Sequence, residues 1–327
     1  MHNIALIGAG RIGKIHAGHI AANPRLRLAR VVDPVADAAA AIAAEHGAAP
    51  STLDEAIADP AIAGIVVASS TDTHLDYSLA GAGAGKAVFC EKPLDQDLER
   101  AKAAAARFDA LGARLFLAFN RRFDPNFSTL QSRLADGAVG TLETLHIISH
   151  DPAPPPVDYI KLSGGIFKDM VIHDFDMARW LLGEEVAEVY ASASVLVDPE
   201  IGAAGDADTA KTILRTGSGR LCVISSSRRS GYGYDQRIEA FGSKGMIRAQ
   251  NQLETTVETW GEGGASADRF QNFFLDRYAV AYAREAEHFA DILDGASPLV
   301  GVRDGVAALT LAEAAAESAR TGERVLL

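Results

Sequence analysis

The residues best equipped for chemistry lie in Gly164-Gly165-Ile166-Phe167-Lys168-Asp169-Met170-Val171-Ile172-His173-Asp174-Phe175-Asp176. Asp169 and His173 stand four residues apart at the start of a helix-like run. Side chains at i and i+4 share a helical face, so Asp169 is placed to hydrogen-bond and orient the imidazole. An imidazole held this way is a general base with a fixed tautomer that works near neutral pH. Taken alone, the same spacing also describes an ordinary ion pair on a helix surface. A metal reading of Asp169, His173 and Asp174 is weaker, because Asp174 turns about 100° off the His173 face and no further ligand motif follows. Lys92, in Glu91-Lys92-Pro93, closes an apolar run. An ammonium there can hold a substrate oxygen and stabilise charge developing on it, and a cis Lys92-Pro93 bond is one way to aim it. In isolation, Lys-Pro reads rather as an exposed loop start.

The elements that must carry these groups fall into two patterns. Up to residue 120, short β-rich runs alternate with helical ones. Asn3–Ile7, Leu26–Val32, Gly64–Ala68, Ala87–Cys90 and Arg114–Ala118 read as buried parallel strands. Between them Ile12–Ala22, Val35–His46, Thr73–Gly83 and Asp95–Leu111 read as helices. Such alternation predicts a doubly wound parallel sheet, an α/β Rossmann domain. Asn3–Ile7 runs into Gly8-Ala9-Gly10-Arg11-Ile12-Gly13, which opens a helix. Gly8 allows the tight turn, Gly10 lets a pyrophosphate approach the backbone, and Gly13 lets the helix pack on the strand. The free N–H groups of the helix start, at Arg11 and Ile12, then face the phosphates.

Asp33, just before Pro34, ends the second strand 20 residues beyond Gly13. It can accept from both ribose hydroxyls and would repel a 2′-phosphate, which favours NAD over NADP. A turn or helix-cap role before Pro34 is the alternative, and Arg11 and Arg30 leave room for some NADP tolerance. Ligands of open α/β sheets gather at strand carboxyl ends. That places Ser69, Ser70, Thr71, Glu91 and Lys92 beside the cofactor, with His74 bordering it from the next helix. Asn120, at another strand end, could touch nicotinamide or substrate, or serve as a turn residue.

After Asn120 the pattern changes to α+β. A helix over Asn126–Asp136 leads to a strand over Leu142–His150, then to a proline-rich loop, Asp151–Pro156. Beyond the Gly164–Leu182 helix come strand-like runs at Val186–Val197, Asp208–Arg215, Arg220–Arg228, Gln236–Phe241, Met246–Gln250 and Glu254–Thr259. They predict a large open, mainly antiparallel sheet with helices on one face. Helices over Tyr278–Leu293 and Asp304–Ala319 finish the chain. The division is therefore 1–120 as the NAD-binding domain and 121–327 as the substrate-binding and oligomerisation domain.

Composition narrows the partners. The chain has 327 residues, 48% hydrophobic and 23% charged, with a formal net charge of −12, which argues against nucleic acid or an anionic membrane as partner. Two cysteines, Cys90 and Cys222, can make neither a disulfide framework nor a zinc cage. No secretory leader pattern precedes the first strand, and no apolar run approaches the roughly 20 residues of a membrane span. A cytoplasmic protein is expected.

Glu91-Lys92-Pro93 behind the glycine fingerprint, followed by Asn120-Arg121-Arg122-Phe123-Asp124-Pro125 and the Gly164–Leu182 block, resembles the glucose–fructose oxidoreductase/inositol dehydrogenase/MocA (Gfo/Idh/MocA) family. The likeness covers essentially the whole chain and is nearest to the inositol 2-dehydrogenases. It implies that Lys92, Asp169 and His173 match the family's catalytic Lys, Asp and His. It also implies an NAD-dependent dehydrogenase that takes myo-inositol to its 2-keto form. A sibling acting on scyllo-inositol or an aldose is the alternative, and a non-catalytic NAD-binding sensor the second class. By the same resemblance, the open sheet makes subunit contacts, commonly in homotetramers, and the last helix, about 304–319, packs back near the first domain. Substrate contacts are expected from Lys92, Asn120, Asp169 and His173, with Arg122, His150, Tyr232 and Tyr234 as further candidates. Arg122 reads equally as a surface ion pair. Tyr232 and Tyr234 share one face if the chain is extended there, and core packing accounts for either.

Overall fold

Short runs of Ile, Val, Leu and Phe, too brief for helices and closed off by glycine, proline or charge, form a parallel sheet at the N-terminus. The structure, a computed structural model, describes residues 1–327, which divide into two compact units. The first comprises Met1–Phe123 with Ala281–Leu309, and the second Asp124–Val280 with Thr310–Leu327. In the first, β1 (His2–Ile7), α1 (Arg11–Ala22), β2 (Leu26–Val32), α2 (Ala36–His46), β3 (Ala49–Pro50), α3 (Leu53–Ala58), β4 (Ile62–Val67), α4 (His74–Gly83), β5 (Ala87–Glu91), α5 (Leu98–Leu111) and β6 (Leu115–Ala118) follow in order. The sheet runs β3-β2-β1-β4-β5-β6, every pair parallel. Its central strands are mostly apolar on both faces, with Ile4, Leu6, Ile65, Val88 and Phe116 fully buried. Cys90 and Cys222 are free, buried thiols, and burial pushes Cys90 up to about 12.

Local chemistry shifts several expected boundaries. β3 and α3 were not expected. α3 is started by a capping box in which Thr52 accepts from Glu55 N while the Glu55 side chain accepts from Thr52 N. α5 begins at Leu98 rather than Asp95, because the Asp97 side chain caps it by accepting from Arg100 N.

The second unit holds α6 (Pro125–Ala135), β7 (Leu142–His150), α7 (Val157–Ser163), α8 (Ile172–Leu182), β8 (Val186–Ser194), α9 (Pro199–Ala203), β9 (Thr209–Thr216), β10 (Leu221–Ser227), β11 (Asp235–Gly242) and β12 (Gly245–Ala249). Its seven-stranded sheet also takes in β15 (Val325–Leu326) and runs β12-β11-β7-β10-β9-β8-β15. All pairs are antiparallel except β7 with β10, so the sheet is mixed, though mainly antiparallel. β8 stops at Ser194 rather than Val197 because the N–H groups of Leu196, Val197 and Asp198 turn to the Asp208 carboxylate. The strand expected over Glu254–Thr259 is absent from this sheet. Glu258–Gly261 (β13) pairs with Gly264–Ala267 (β14) in a separate, exposed hairpin.

After the short α10 (Phe274–Arg277), α11 (Ala279–Leu293) belongs to the first unit from Ala281 onward, although the sequence pattern assigned it to the second domain. The turns of α12 (Val302–Thr321) up to Leu309 also belong to the first unit. No helix is long and apolar enough to cross a membrane.

Candidate active site

In the first unit, sterics shape a dinucleotide cradle. Gly8 has φ +107, and a Cβ there would meet Ala68 O at 2.3 Å. A Cβ on Gly13 would meet Gly8 O at 2.0 Å, so only glycine lets α1 sit this close to the loop. Gly10, by contrast, faces open space, with nothing within 4 Å of an added Cβ. It directly precedes α1, whose first N–H groups at Arg11 and Ile12 have no intrahelical partner. This is the fit a pyrophosphate requires.

Asp33 belongs to the same construction. Its Oδ2 accepts from Ala9 N at 2.7 Å and its Oδ1 from Val35 N at 2.8 Å. Asp33 therefore fills the turn role beside Pro34, and each of its oxygens keeps a further lone pair. Ser69 Oγ lies 2.6 Å from Thr73 Oγ1, while Ser70 is exposed and Thr71 half-buried.

The Lys92-Pro93 bond is cis. Buried His74 secures that corner, with Nδ1 2.8 Å from Pro93 O and Nε2 3.2 Å from Ser69 O. His74 thus joins two loops that border the cradle. On the other side, Glu91 accepts from the backbone N of Lys92 at 3.3 Å and lies 2.7 Å from His16 Nε2. Burial opposes ionisation of Glu91, but the His16 hydrogen bond and the charges of His16 and Lys92 outweigh it and hold the carboxyl below its ordinary range.

Asn120 is 6% exposed, and its Oδ1 has no hydrogen-bond partner in the protein. A buried carboxamide oxygen in that state fits a ligand donor such as the nicotinamide amide. Arg122, equally buried, donates to Asp304 at 2.9 Å, so its ion pair is internal rather than on the surface.

In the second unit Asp169 and His173 sit on an irregular turn and the helix it leads into. Gly164 and Gly165 take φ +83 and +85, and a π-helical turn over Phe167–Val171 leads into α8. Asp169 belongs to that turn and half-buried His173 to the first turn of α8. The sequence pointed to Asp169 as the partner of His173 and as a substrate contact, but not to the groups that hold Asp169 itself. Its Oδ1 accepts from Tyr159 OH at 2.8 Å, and its Oδ2 from Nη1 and Nη2 of Arg228, both at 3.3 Å. No spacing rule links Arg228 to Asp169, 59 residues earlier.

The remaining candidates lie elsewhere in the unit. His150 faces the open side of the sheet, 3.0 Å from Ser225 Oγ and 3.4 Å from Tyr232 OH. Burial, with Lys211 and Arg237 nearby, lowers its proton affinity against the pull of Asp235. Tyr232 and Tyr234 do not share a face, because Gly233 at φ +118 reverses the chain between them. Tyr232 is exposed and donates to Asp235 at 2.8 Å, while Tyr234 is buried edge-on to Tyr278. No group of three or more His, Cys, Asp or Glu side chains is arranged to hold a metal ion.

Comparison with known proteins agrees with this anatomy. Residues 2–119 match the oxidoreductase family with an NAD-binding Rossmann fold, and residues 127–248 match the GFO/IDH/MocA C-terminal domain. An inositol 2-dehydrogenase of Rhizobium meliloti is 49% identical over 314 residues, 96% of this chain and 95% of that protein. A myo-inositol 2-dehydrogenase of Thermotoga maritima is 47% identical over 321 residues, again 96% and 95% of the two chains. The crystal structure of a myo-inositol dehydrogenase from Corynebacterium glutamicum superimposes with a TM-score of 0.96 at 44% identity, covering 100% of this chain and 99% of the other.

Proposed function

Because the chain belongs to the glucose–fructose oxidoreductase/inositol dehydrogenase/MocA family of NAD-binding oxidoreductases, we propose that it oxidises a secondary alcohol on a cyclic polyol, taking myo-inositol to 2-keto-myo-inositol. The observation that carries this reading is Asp169, held by Tyr159 and Arg228 one helical turn before His173, in a chain that also carries a glycine cradle and Lys92. NAD, when bound, supplies the hydride acceptor. The loop shaped by Gly8 and Gly13 would hold its pyrophosphate over Gly10, Asp33 would hold its adenosine ribose, and Asn120 its amide. His173 removes the proton of the reacting hydroxyl, Asp169 stabilises the imidazolium that forms, and Lys92 steadies the oxygen as charge develops on it. An uncharged polyol offers only hydroxyls, so recognition rests on oriented hydrogen bonds from such groups.

The test is a panel of inositols and aldoses with NAD, followed at the NADH absorbance. Myo-inositol should give the highest kcat/KM, with scyllo-inositol and aldoses behind it. If no polyol turns over, the reading fails. In the same assay His173→Ala should lower kcat by about 10²- to 10⁴-fold with NAD affinity unchanged.

We also place the enzyme in the cytoplasm as a homo-oligomer, commonly a tetramer in this family. Two buried free thiols suit a reducing compartment. The open face of the large sheet carries Tyr190, Ile213, Leu221, Phe241 and Met246, each at least 40% exposed, in two adjacent cross-strand rows. An apolar band of this kind on a soluble chain marks a surface that a second copy would cover.

A further inference from the structure

Arg228 is 1% exposed, yet no structural role for it is evident beyond two carboxylates. It follows β10, and its backbone N donates to Asp208 O at 2.8 Å. The Asp208 side chain, fully buried, takes the N–H groups of Leu196, Val197 and Asp198, so the segment presenting Arg228 is firmly held. The guanidinium reaches Asp169 Oδ2 at 3.3 Å and Asp206 Oδ2 at 3.5 Å, while its Nε–H has no partner. Asp206 is fixed in turn, since its Oδ1 accepts from Ile166 N at 2.9 Å. A Cβ on Gly165 would stand 3.0 Å from that oxygen, so a glycine at 165 eases the approach. A buried arginine divided between two carboxylates, with one donor unspent, is an expensive arrangement for stability alone.

We propose that Arg228 is a positioning residue that sets the proton affinity of His173 by dividing its charge between Asp169 and Asp206. The proposal rests on the reading of His173 as the base. Asp169 attracts a proton onto the imidazole four residues along. Arg228 partly neutralises that attraction and also repels the imidazolium directly. Asp206 works the other way, by drawing Arg228 off Asp169. The pair therefore balances the base between too weak to accept a proton and too strong to release one.

Other charged or titratable groups around this turn are Tyr159 from α7, Lys168 on the turn, paired with Glu313 of α12 at 2.6 Å, and Asp208 before β9. Arg229 follows Arg228 and reaches Leu196 O, and α8 itself carries Asp174, Asp176 and Arg179, the last paired with Glu185. These stay unchanged in the variants below, so their influence cancels in the comparison.

The experiment uses full-length enzyme and two readouts: the pH dependence of kcat/KM for polyol oxidation, and the ring titration of His173 followed by NMR with labelled histidine, assigned through His173→Ala. Arg228→Met should move the acid limb and the His173 midpoint up by about one pH unit, the low end of what a charge several ångströms away achieves. Asp206→Asn keeps the oxygen that accepts from Ile166 N and should move both down. Arg228→Lys, which retains the charge, should leave them near wild type. Opposite shifts from the two charge removals are not a signature of loosened packing, and Asp206→Asn carries the test alone if Arg228→Met fails to fold. Unshifted midpoints, or shifts of the same sign, overturn the proposal. Loss of the base reading would appear separately, as full turnover in His173→Ala or as no polyol turnover in wild type.

Discussion

Glu285 breaks the pattern of its own helix. In α11 the buried stripe runs Tyr282, Glu285, Ala286 and Phe289, and the period calls for an apolar residue at 285. The side chain is 0% exposed, and neither carboxylate oxygen has a hydrogen-bond partner. Burial, reinforced by the charge of Glu91, pushes this carboxyl well above its ordinary range, so it stays protonated where exposed glutamates ionise. The sign of the linkage follows. Above about pH 4.3 the unfolded chain releases this proton while the folded chain keeps it, so the folded state binds more protons. Stability from this group is therefore complete below that pH and declines as pH rises toward the folded value. One proton's difference costs about 1.4 kcal/mol per pH unit for as long as the folded carboxyl remains neutral.

Glu285→Gln removes the titration and preserves the shape. The carboxamide leaves its polar atoms as poorly served as those of the acid, so the two proteins should be nearly equally stable near pH 4.5. From pH 5 upward the glutamine variant should gain by about 1.4 kcal/mol per unit, or roughly 2–4 °C in Tm per kcal/mol for a unit of this size. Thermal melts at half-unit steps from pH 5 to 8 measure the difference, in which the titrations common to both proteins cancel. A difference that stays flat with pH would mean that Glu285 is ionised in the fold. A glutamine variant that loses ground as pH rises would mean that the charge is needed there. Either result refutes the account.

Three further outcomes are expected. Asp33→Ala should raise KM for NAD roughly 30-fold, the equivalent of about 2 kcal/mol for a lost hydrogen bond to a charged group, and should narrow the preference over NADP; an unchanged NAD/NADP ratio of kcat/KM would contradict the ribose assignment. Gly10→Ala should fold with unchanged Tm yet bind NAD weakly by calorimetry, because the space its methyl fills is open in the protein, whereas Gly13→Ala, with Gly8 O only 2.0 Å from its Cβ, should lower Tm as well; equal Tm losses would undo the steric distinction. Phe241→Lys places a charge in the exposed apolar band and should reduce the oligomer seen by light scattering, and an unaltered mass would point to assembly through another face.

What could be read from the chain and what could not follows the reach of the physics involved. The dinucleotide loop was legible because its constraints are local. Gly8 needs positive φ and Gly13 must clear a carbonyl five residues back, and the glycines announce both. Lys92 and Asp33 were legible for a similar reason, since strand ends can be located from the apolar runs before them. Tyr232 and Tyr234 misled, because alternation holds only in an extended chain and Gly233 leaves that region at φ +118. Arg228 was hidden altogether, as was the pairing of His16 with Glu91, 75 residues apart. Each such pair is made by sheet order, and an arginine at a strand end carries no mark of the carboxylate it will meet.

The two units consequently build their functional groups by different means. In the first, backbone and glycine sterics do the placing, and Asp33 is held by the backbone N–H groups of Ala9 and Val35. In the second, Asp169 is placed by polar donors: Tyr159 donates to one carboxylate oxygen, Arg228 to the other, and Asp206 shares Arg228. Steric placement fixes where a ligand lies but leaves its protonation untouched. Electrostatic placement fixes position and proton affinity together, so any substitution among these residues alters both at once. Substitutions in the glycine loop should therefore change cofactor affinity at constant pH profile, and substitutions around Asp169 should change the profile at constant cofactor affinity. That division follows from the geometry of each unit and does not depend on which polyol is bound.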